Sequence, residues 1–441
     1  MEKYILEATD ENILNSIEHD QLGRSPDVKD FLELIDTIDY NTFISVDAAW
    51  GEGKTFFIRQ IEMTMKYYNK KVFQKNKDIS EWEKQAFQSN NLLGNLQLQH
   101  TYLPIYFDAW LYDNHKDALM ALLMVAIKKS GKSISTTIDA GKIEKLASIM
   151  DSIQFWKTDN WSNLVEKHKG KDILEETLLL GDIRQTIKEI FDDILVESAD
   201  KLVVFIDELD RCKPTFAVEM LESIKHYFDD NRFIFVTSIN KSQLIHTISR
   251  YYGDGFDSNL YLNKFFDINI QLPPADTRTY FDNLGISCNS SYWIEKIANE
   301  LQKTYSLSLR DSTRFFQKIN TINEKWNEYV GEASWRVLVL FIPIICIFDI
   351  VDISAKNKIL SGNGFDILKN LITKESEMRK YVLRLINEHE DTEEKFCEGM
   401  EELKKIYKFV FATDNYYGWY QGRIDIPAHL KKDCLRMCNR I

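Results

Sequence analysis

Two short stretches carry residue types that chemistry can use. Residues 48–55 read Ala-Ala-Trp-Gly-Glu-Gly-Lys-Thr, and residues 207–211 read Asp-Glu-Leu-Asp-Arg. In the first, small residues let successive backbone N–H groups wrap an anion at the positive end of a helix. An amine at Lys54 would reach phosphate oxygens, and the Thr55 hydroxyl is a hard ligand for Mg2+. In the second, Asp207 would hold that ion, and Glu208 would polarise an attacking water as a general base. The usual string for such a loop is G-x-x-x-x-G-K-[ST], and Ala48 stands where its first glycine would be. If that position needed a positive φ, alanine would sit there poorly.

These groups need strand ends to present them. Thr42-Phe43-Ile44-Ser45-Val46 is a β-branched and aromatic run that leads into the loop, and a helical run from Thr55 to Tyr68 follows. Leu202-Val203-Val204-Phe205-Ile206 is unbroken apolar sequence running into Asp207, the mark of a strand buried on both faces of a parallel sheet. Further strands are expected at Leu103–Phe107 and Arg232–Thr237, with a weaker one at Phe266–Leu272. Helices are expected over Ile13–Ile38, broken by a turn at Asp20–Pro26, with Ser25-Pro26 as a helix start. Most of Asp117–Val196, and nearly everything after Asp276, also reads as helical, whereas Lys66–His100 reads as a polar, exposed excursion. About five strands alternating with helices predict an α/β fold: a parallel sheet covered by helices. The expected organisation is a nucleotide domain over 1–275, with a helical insertion at about 56–200, and a helical module over 276–441.

Composition agrees with long helices. The chain has 441 residues with 17 Gly and 7 Pro, few turn-formers against the usual share of about 12%. A net charge of −13 disfavours nucleic acid as the main partner. Six Cys make no disulfide framework, which points to a reducing, cytoplasmic setting, and the N-terminus lacks the basic start and apolar middle of a signal peptide. The longest apolar run, Val337–Phe348, is interrupted by Pro343 and falls short of the roughly 20 residues a bilayer requires. It is expected to form a buried core helix or two short helices.

Four segments, in order, resemble the KAP family of P-loop NTPases, which are of the additional-strand, catalytic-glutamate type. They are Trp50-Gly51-Glu52-Gly53-Lys54-Thr55, Phe107-Asp108-Ala109-Trp110, Phe205 through Asp207-Glu208-Leu209-Asp210-Arg211-Cys212, and Tyr261-Leu262-Asn263-Lys264 closing at Pro273-Pro274. The resemblance implies binding and hydrolysis of ATP with Mg2+. Trp50, Gly51, Glu52, Gly53, Lys54, Thr55 and Phe56 would surround the phosphates, Thr55 and Asp207 would hold the metal, and Glu208 would act on water. It also implies that the Asp20–Arg24 segment lies near the base and that Thr237, Ser238 or Asn240 senses the γ-phosphate. Arg310 or Arg314, in Arg310-Asp311-Ser312-Thr313-Arg314, resembles a second sensor through which hydrolysis would rearrange the C-terminal helices. Arg211 is either structural or a finger acting in trans. Asp108 departs from the family's usual Asn, and Ala48 from its Gly. Many members carry membrane spans between the two nucleotide motifs, but 56–200 holds no apolar run near the ~18 residues required, so no span is expected.

The family implies a regulatory or signalling ATPase, in bacteria often tied to defence against phage, working with an operon-encoded partner or by self-association. A nucleotide-sensing scaffold with negligible turnover is the alternative, and a nucleic-acid-dependent ATPase a third. Other chemistry is weaker. Cys434 and Cys438 have only His429 nearby, which is not a zinc set. The lysines of Lys66–Lys77 read as a solvated face rather than a phosphate-backbone contact. The aromatics Tyr416, Tyr417, Trp419 and Tyr420 would either anchor a partner or fold the tail back.

Overall fold

The computed structural model describes residues 7–73, 78–115, 117–131, 139–148, 173–196, 198–275, 280–281, 292–326, 332–372, 376–386, 388, 390–412, 419–421 and 424–426. It divides after Ala275 into two compact units.

The first unit is built on five parallel strands: β1 (Thr42–Asp47), β2 (Tyr102–Asp108), β3 (Lys201–Asp207), β4 (Phe233–Ile239) and β5 (Ile268–Gln271), in the spatial order β2-β3-β4-β1-β5. Side chains alternate across each strand. In β3, Leu202, Val204 and Ile206 therefore enter one apolar cluster and Val203 and Phe205 the other. Both β3 and β4 are buried along their whole length, as unbroken apolar runs should be.

One face is covered by α1 (Asp10–His19), α2 (Ser25–Asp36), α3 (Lys54–Val72) and α4 (Glu81–Ser89). The other carries α5 (Ala118–Ser130), α6 (Ile173–Leu195), α7 (Pro214–Tyr227), α8 (Lys241–Tyr252) and α9 (Ser258–Asn263). The expected break between α1 and α2 has a local cause. The Thr9 side chain caps α1 at Asn12 N–H, and Asp20 closes the helix in a left-handed conformation. The Asp20 carboxylate then accepts the backbone N–H (3.0 Å) and hydroxyl (2.7 Å) of Ser25, fixing the turn into α2.

Within the interval 56–200, the strand expected at Leu103–Phe107 forms edge strand β2. Lys66–His100 is not an exposed excursion. Tyr67 stacks on Phe87 at 4.0 Å between ring centroids, and Leu93 and Leu96 are buried with them. The carboxamide of Asn90 donates to Ile17 O and Ser25 Oγ, tying the segment to α1 and α2. Lys66 pairs with the buried Glu62 carboxylate and Lys70 with Glu83. Apolar positions spread over several short helices among polar residues hide the burial from any single period. Lys75 and Lys77 lie outside the described residues, as do Phe155, Trp156 and Trp161.

The second unit is helical, with a short hairpin of β6 (Trp419–Gln421) and β7 (Ile424–Ile426). The apolar run forms one helix, Glu332–Val351, that continues through Pro343. Proline inside a helix costs about 3 kcal/mol, whereas each fully buried Ile or Phe contributes roughly 1.5–3 kcal/mol. Ile342, Ile344, Ile345 and Ile347 are all at most 1% exposed, so burial outweighs the lost hydrogen bond. Asp349 ends the run by accepting from Lys318 and Lys356. Among the described residues no helix is long and apolar enough to cross a membrane. His429, Cys434, Cys438, Tyr416 and Tyr417 fall outside the described residues.

Candidate functional site

The site forms at the carboxyl ends of β1, β3 and β4, where the backbone leaves a parallel sheet and a ligand can approach. Ala48 extends the ladder, its N–H bonding to Ile239 O at 3.2 Å. Among the described non-glycine residues, positive φ occurs only at Asp20, Glu208 and Ser306. The missing first glycine is therefore not required, because the backbone at Ala48 has not yet begun to turn. The turn is made by Gly51 (φ 88°) and Gly53 (φ 83°), conformations that a side chain would strain, and Gly53 leads directly into α3.

Lys54 is buried, and its Nζ donates to Ala48 O (2.7 Å) and Ala49 O (3.1 Å), curling back over the loop. Burial holds its pKa below the usual lysine value, while Asp210, Asp207, Glu208 and Asp47 pull it back up. Thr55 Oγ1 donates to Asp207 Oδ2 at 2.8 Å, which joins the two motifs in space. The same carboxylate accepts Tyr106 Oη at 3.0 Å on Oδ2 and Glu208 N–H at 3.0 Å on Oδ1. Trp50 completes the link between the loops by donating Nε1 to Asp210 Oδ2. Phe56 packs, half-buried, against the cluster under α3.

Glu208 sits in the left-handed region at φ 60° and ψ 23°. A non-glycine residue there carries about 1–2 kcal/mol of strain, which persists only where surrounding contacts hold it. Burial and the Asp207 charge raise its pKa to about 7, with Arg211 opposing them. Arg211 pairs with the Glu208 carboxylate and lies 5.6 Å from the centroid of Trp110, so it is engaged within its own chain. Asp108 pairs in register with Asp207 across β2 and β3, and burial raises its carboxyl as well.

Arg24 precedes α2 and is 1% exposed. Its Nη2 donates to Glu52 O (2.9 Å) in the loop and to Pro273 O (3.0 Å) beyond β5, clamping one to the other. Its Nε and Nη1 are buried without a hydrogen-bond partner. Burial lowers its pKa to about 10, with Asp27 and Glu52 resisting. A buried guanidinium with spare donors suits an acceptor that a ligand brings.

The three sensor candidates separate by face. Thr237 alternates with Phe233 and Phe235, away from Asp207. Asn240 uses its side-chain oxygen to cap α8 at Gln243 N–H (3.3 Å). Ser238 follows Ile234 and Val236, is fully buried, and its Oγ has no partner. Ile206 pairs with Thr237, so Ser238 falls one step further on, beside Asp207. The signal that sequence reasoning missed is Tyr106, visible only once the β2–β3 register is known.

Arg310 and Arg314 belong to the second unit. Both are exposed on the helix Leu309–Trp326, and Arg314 lies 3.8 Å from Asp311 one turn away.

The donor set at Thr55 and Asp207, one hydroxyl and one carboxylate, fits Mg2+, which prefers hard oxygens and fills its other places with water and phosphate. Residues 4–326 match the family described as the KAP family P-loop domain. No curated protein matches the chain.

Proposed function

Because the chain belongs to the KAP family of P-loop NTPases, we propose that it binds ATP with Mg2+ at the site described and hydrolyses it to drive a regulatory switch. The observation that carries this reading is the Thr55–Asp207 hydrogen bond of 2.8 Å beside a buried Lys54. It brings a phosphate loop and an acidic strand end together on one sheet edge.

In this reading Lys54 leaves the carbonyls of Ala48 and Ala49 for the phosphates, and the N–H groups of the Gly51–Gly53 turn donate to the phosphate oxygens. Thr55 and Asp207 hold the ion, which when bound neutralises charge on the phosphates. Glu208, ionised, takes the proton of an attacking water, and Ser238 supplies the hydroxyl that monitors the terminal phosphate. Arg24 keeps the loop against Pro273 and offers its remaining N–H groups to the nucleotide. Asn240, whose side-chain oxygen caps α8, is the alternative sensor at the same strand end. Within the second unit, the exposed Arg310 and Arg314 are the proposed responders to hydrolysis, and protein partners or self-association are the proposed route by which the switch is read.

One observation favours slow turnover: the Glu208 carboxylate is engaged by Arg211 within its own turn, which holds it back from an attacking water. A nucleotide-sensing scaffold is therefore the second reading. Isothermal titration with ATP beside a phosphate-release assay separates them. Binding with steady phosphate release supports the switch-type ATPase, and tight binding without phosphate supports the scaffold. Failure to bind ATP rejects both.

A further inference from the structure

Asp207 is held by three donors, and one of them comes from a strand that carries none of the two motifs' chemistry. Tyr106 lies on β2, facing the side covered by α1–α4, and its hydroxyl donates to Asp207 Oδ2 at 3.0 Å. That oxygen also accepts the Thr55 hydroxyl at 2.8 Å, while Oδ1 accepts the Glu208 N–H at 3.0 Å. With bonds on both oxygens the carboxylate cannot rotate about its Cβ–Cγ bond without breaking at least one.

The phenol ring is itself fixed. The Arg59 guanidinium stacks over it at 4.9 Å from the centroid and is anchored by Asp10 (2.6 Å) and by Glu62. A chain of contacts thus runs from α1 through Arg59 and Tyr106 to the carboxylate.

We infer that Tyr106 is a positioning residue for the divalent cation: it sets the orientation of Asp207 so that the metal meets a preformed carboxylate. The inference rests on the nucleotide reading above and adds a residue to it. Mg2+ tolerates little departure from octahedral geometry, and loss of a group that orients a metal-binding side chain typically lowers metal affinity by about 10–100-fold.

The test uses the full chain, the variant Tyr106→Phe, and a non-hydrolysable ATP analogue titrated with and without Mg2+. Phenylalanine keeps the ring under Arg59 and removes only the donor, and a thermal melt without ligand compares the two folds. The expected result is a Mg2+ midpoint raised by about tenfold with analogue affinity in EDTA unchanged. A midpoint raised less than about threefold, or lowered, overturns the inference, because removal of a group that orients the ligand should cost more. Equal losses with and without Mg2+ overturn it too, since they assign Tyr106 to general support of the fold. If wild type itself shows no strengthening by Mg2+, the nucleotide reading fails and the inference with it. If wild type is strengthened and Tyr106→Phe is strengthened equally, only the inference fails.

Discussion

Thr55 and Asp207 stand 152 positions apart in the chain and share a hydrogen bond of 2.8 Å. The bond exists because β1 and β3 are both buried parallel strands flanking β4, so that their carboxyl ends open on the same edge of the sheet. Lys54 shares that edge, and its amine is held at Ala48 O and Ala49 O. The arrangement leaves the Lys54 amine desolvated and held by two backbone carbonyls.

Lys54→Ala is accordingly expected to weaken ATP binding by about a hundredfold or more, the scale of removing one member of a buried, hydrogen-bonded charge pair. Titration calorimetry checks it. Affinity within a few-fold of wild type would show that Lys54 does not meet the phosphates.

Ala48→Gly is expected to leave turnover unchanged and to lower stability by about 0.5–1 kcal/mol, because Ala48 continues the β1–β4 ladder and gains nothing from extra freedom. Denaturant unfolding and a phosphate assay on one preparation decide the point. A faster enzyme would mean that the alanine restrains the loop.

The Glu208 carboxyl, raised to about 7 by burial and by the Asp207 charge, must lose its proton to act as a base. Turnover should therefore climb as pH passes through about 7 and level above it. The Arg211 charge lowers this pKa, so Arg211→Ala should move the climb to higher pH. Stability runs the other way: the folded carboxyl keeps its proton to about 7 while an unfolded one loses it near 4.5, so this group's contribution declines as pH rises through that window. Unfolding curves of Glu208→Gln should show a weaker decline than wild type. Matching pH–rate and pH–stability profiles in wild type and these variants would contradict the assignment.

Arg24→Ala removes the bridge between Glu52 O and Pro273 O and the two spare buried donors. It should raise the dissociation constant for ATP about tenfold or more, since a buried charge-assisted hydrogen bond contributes about 1.5–3 kcal/mol. Lysine at the same position, a single point of charge without the planar fork, should restore little. Full affinity in Arg24→Lys would show that charge alone suffices.

Much of this site was legible from residue order. Each motif adjoins an apolar run that reads as a buried strand, and Gly53 sits where the loop string places its second glycine, whereas Gly51, the other glycine of the turn, occupies one of the string's open positions. Spatial order was not legible. The neighbours of β3 follow from the packing of helices on both faces, so neither the Tyr106–Asp207 bond nor the place of Ser238 beside Asp207 could be read beforehand. The left-handed Glu208 and its pairing with Arg211 were hidden for another reason: side-chain pairs within a tight turn depend on backbone angles that an acidic string does not reveal. Tyr67, Phe87, Leu93 and Leu96 escaped because no one helix holds enough of them to show a period.

The most direct test is phosphate release from ATP by the full chain and by Glu208→Gln, each first shown by titration to bind ATP in the presence of Mg2+. The account predicts steady release by wild type and a loss of about 10²–10⁴-fold in the variant at unchanged affinity. Equal release by the two proteins, or no ATP binding by either, would contradict it.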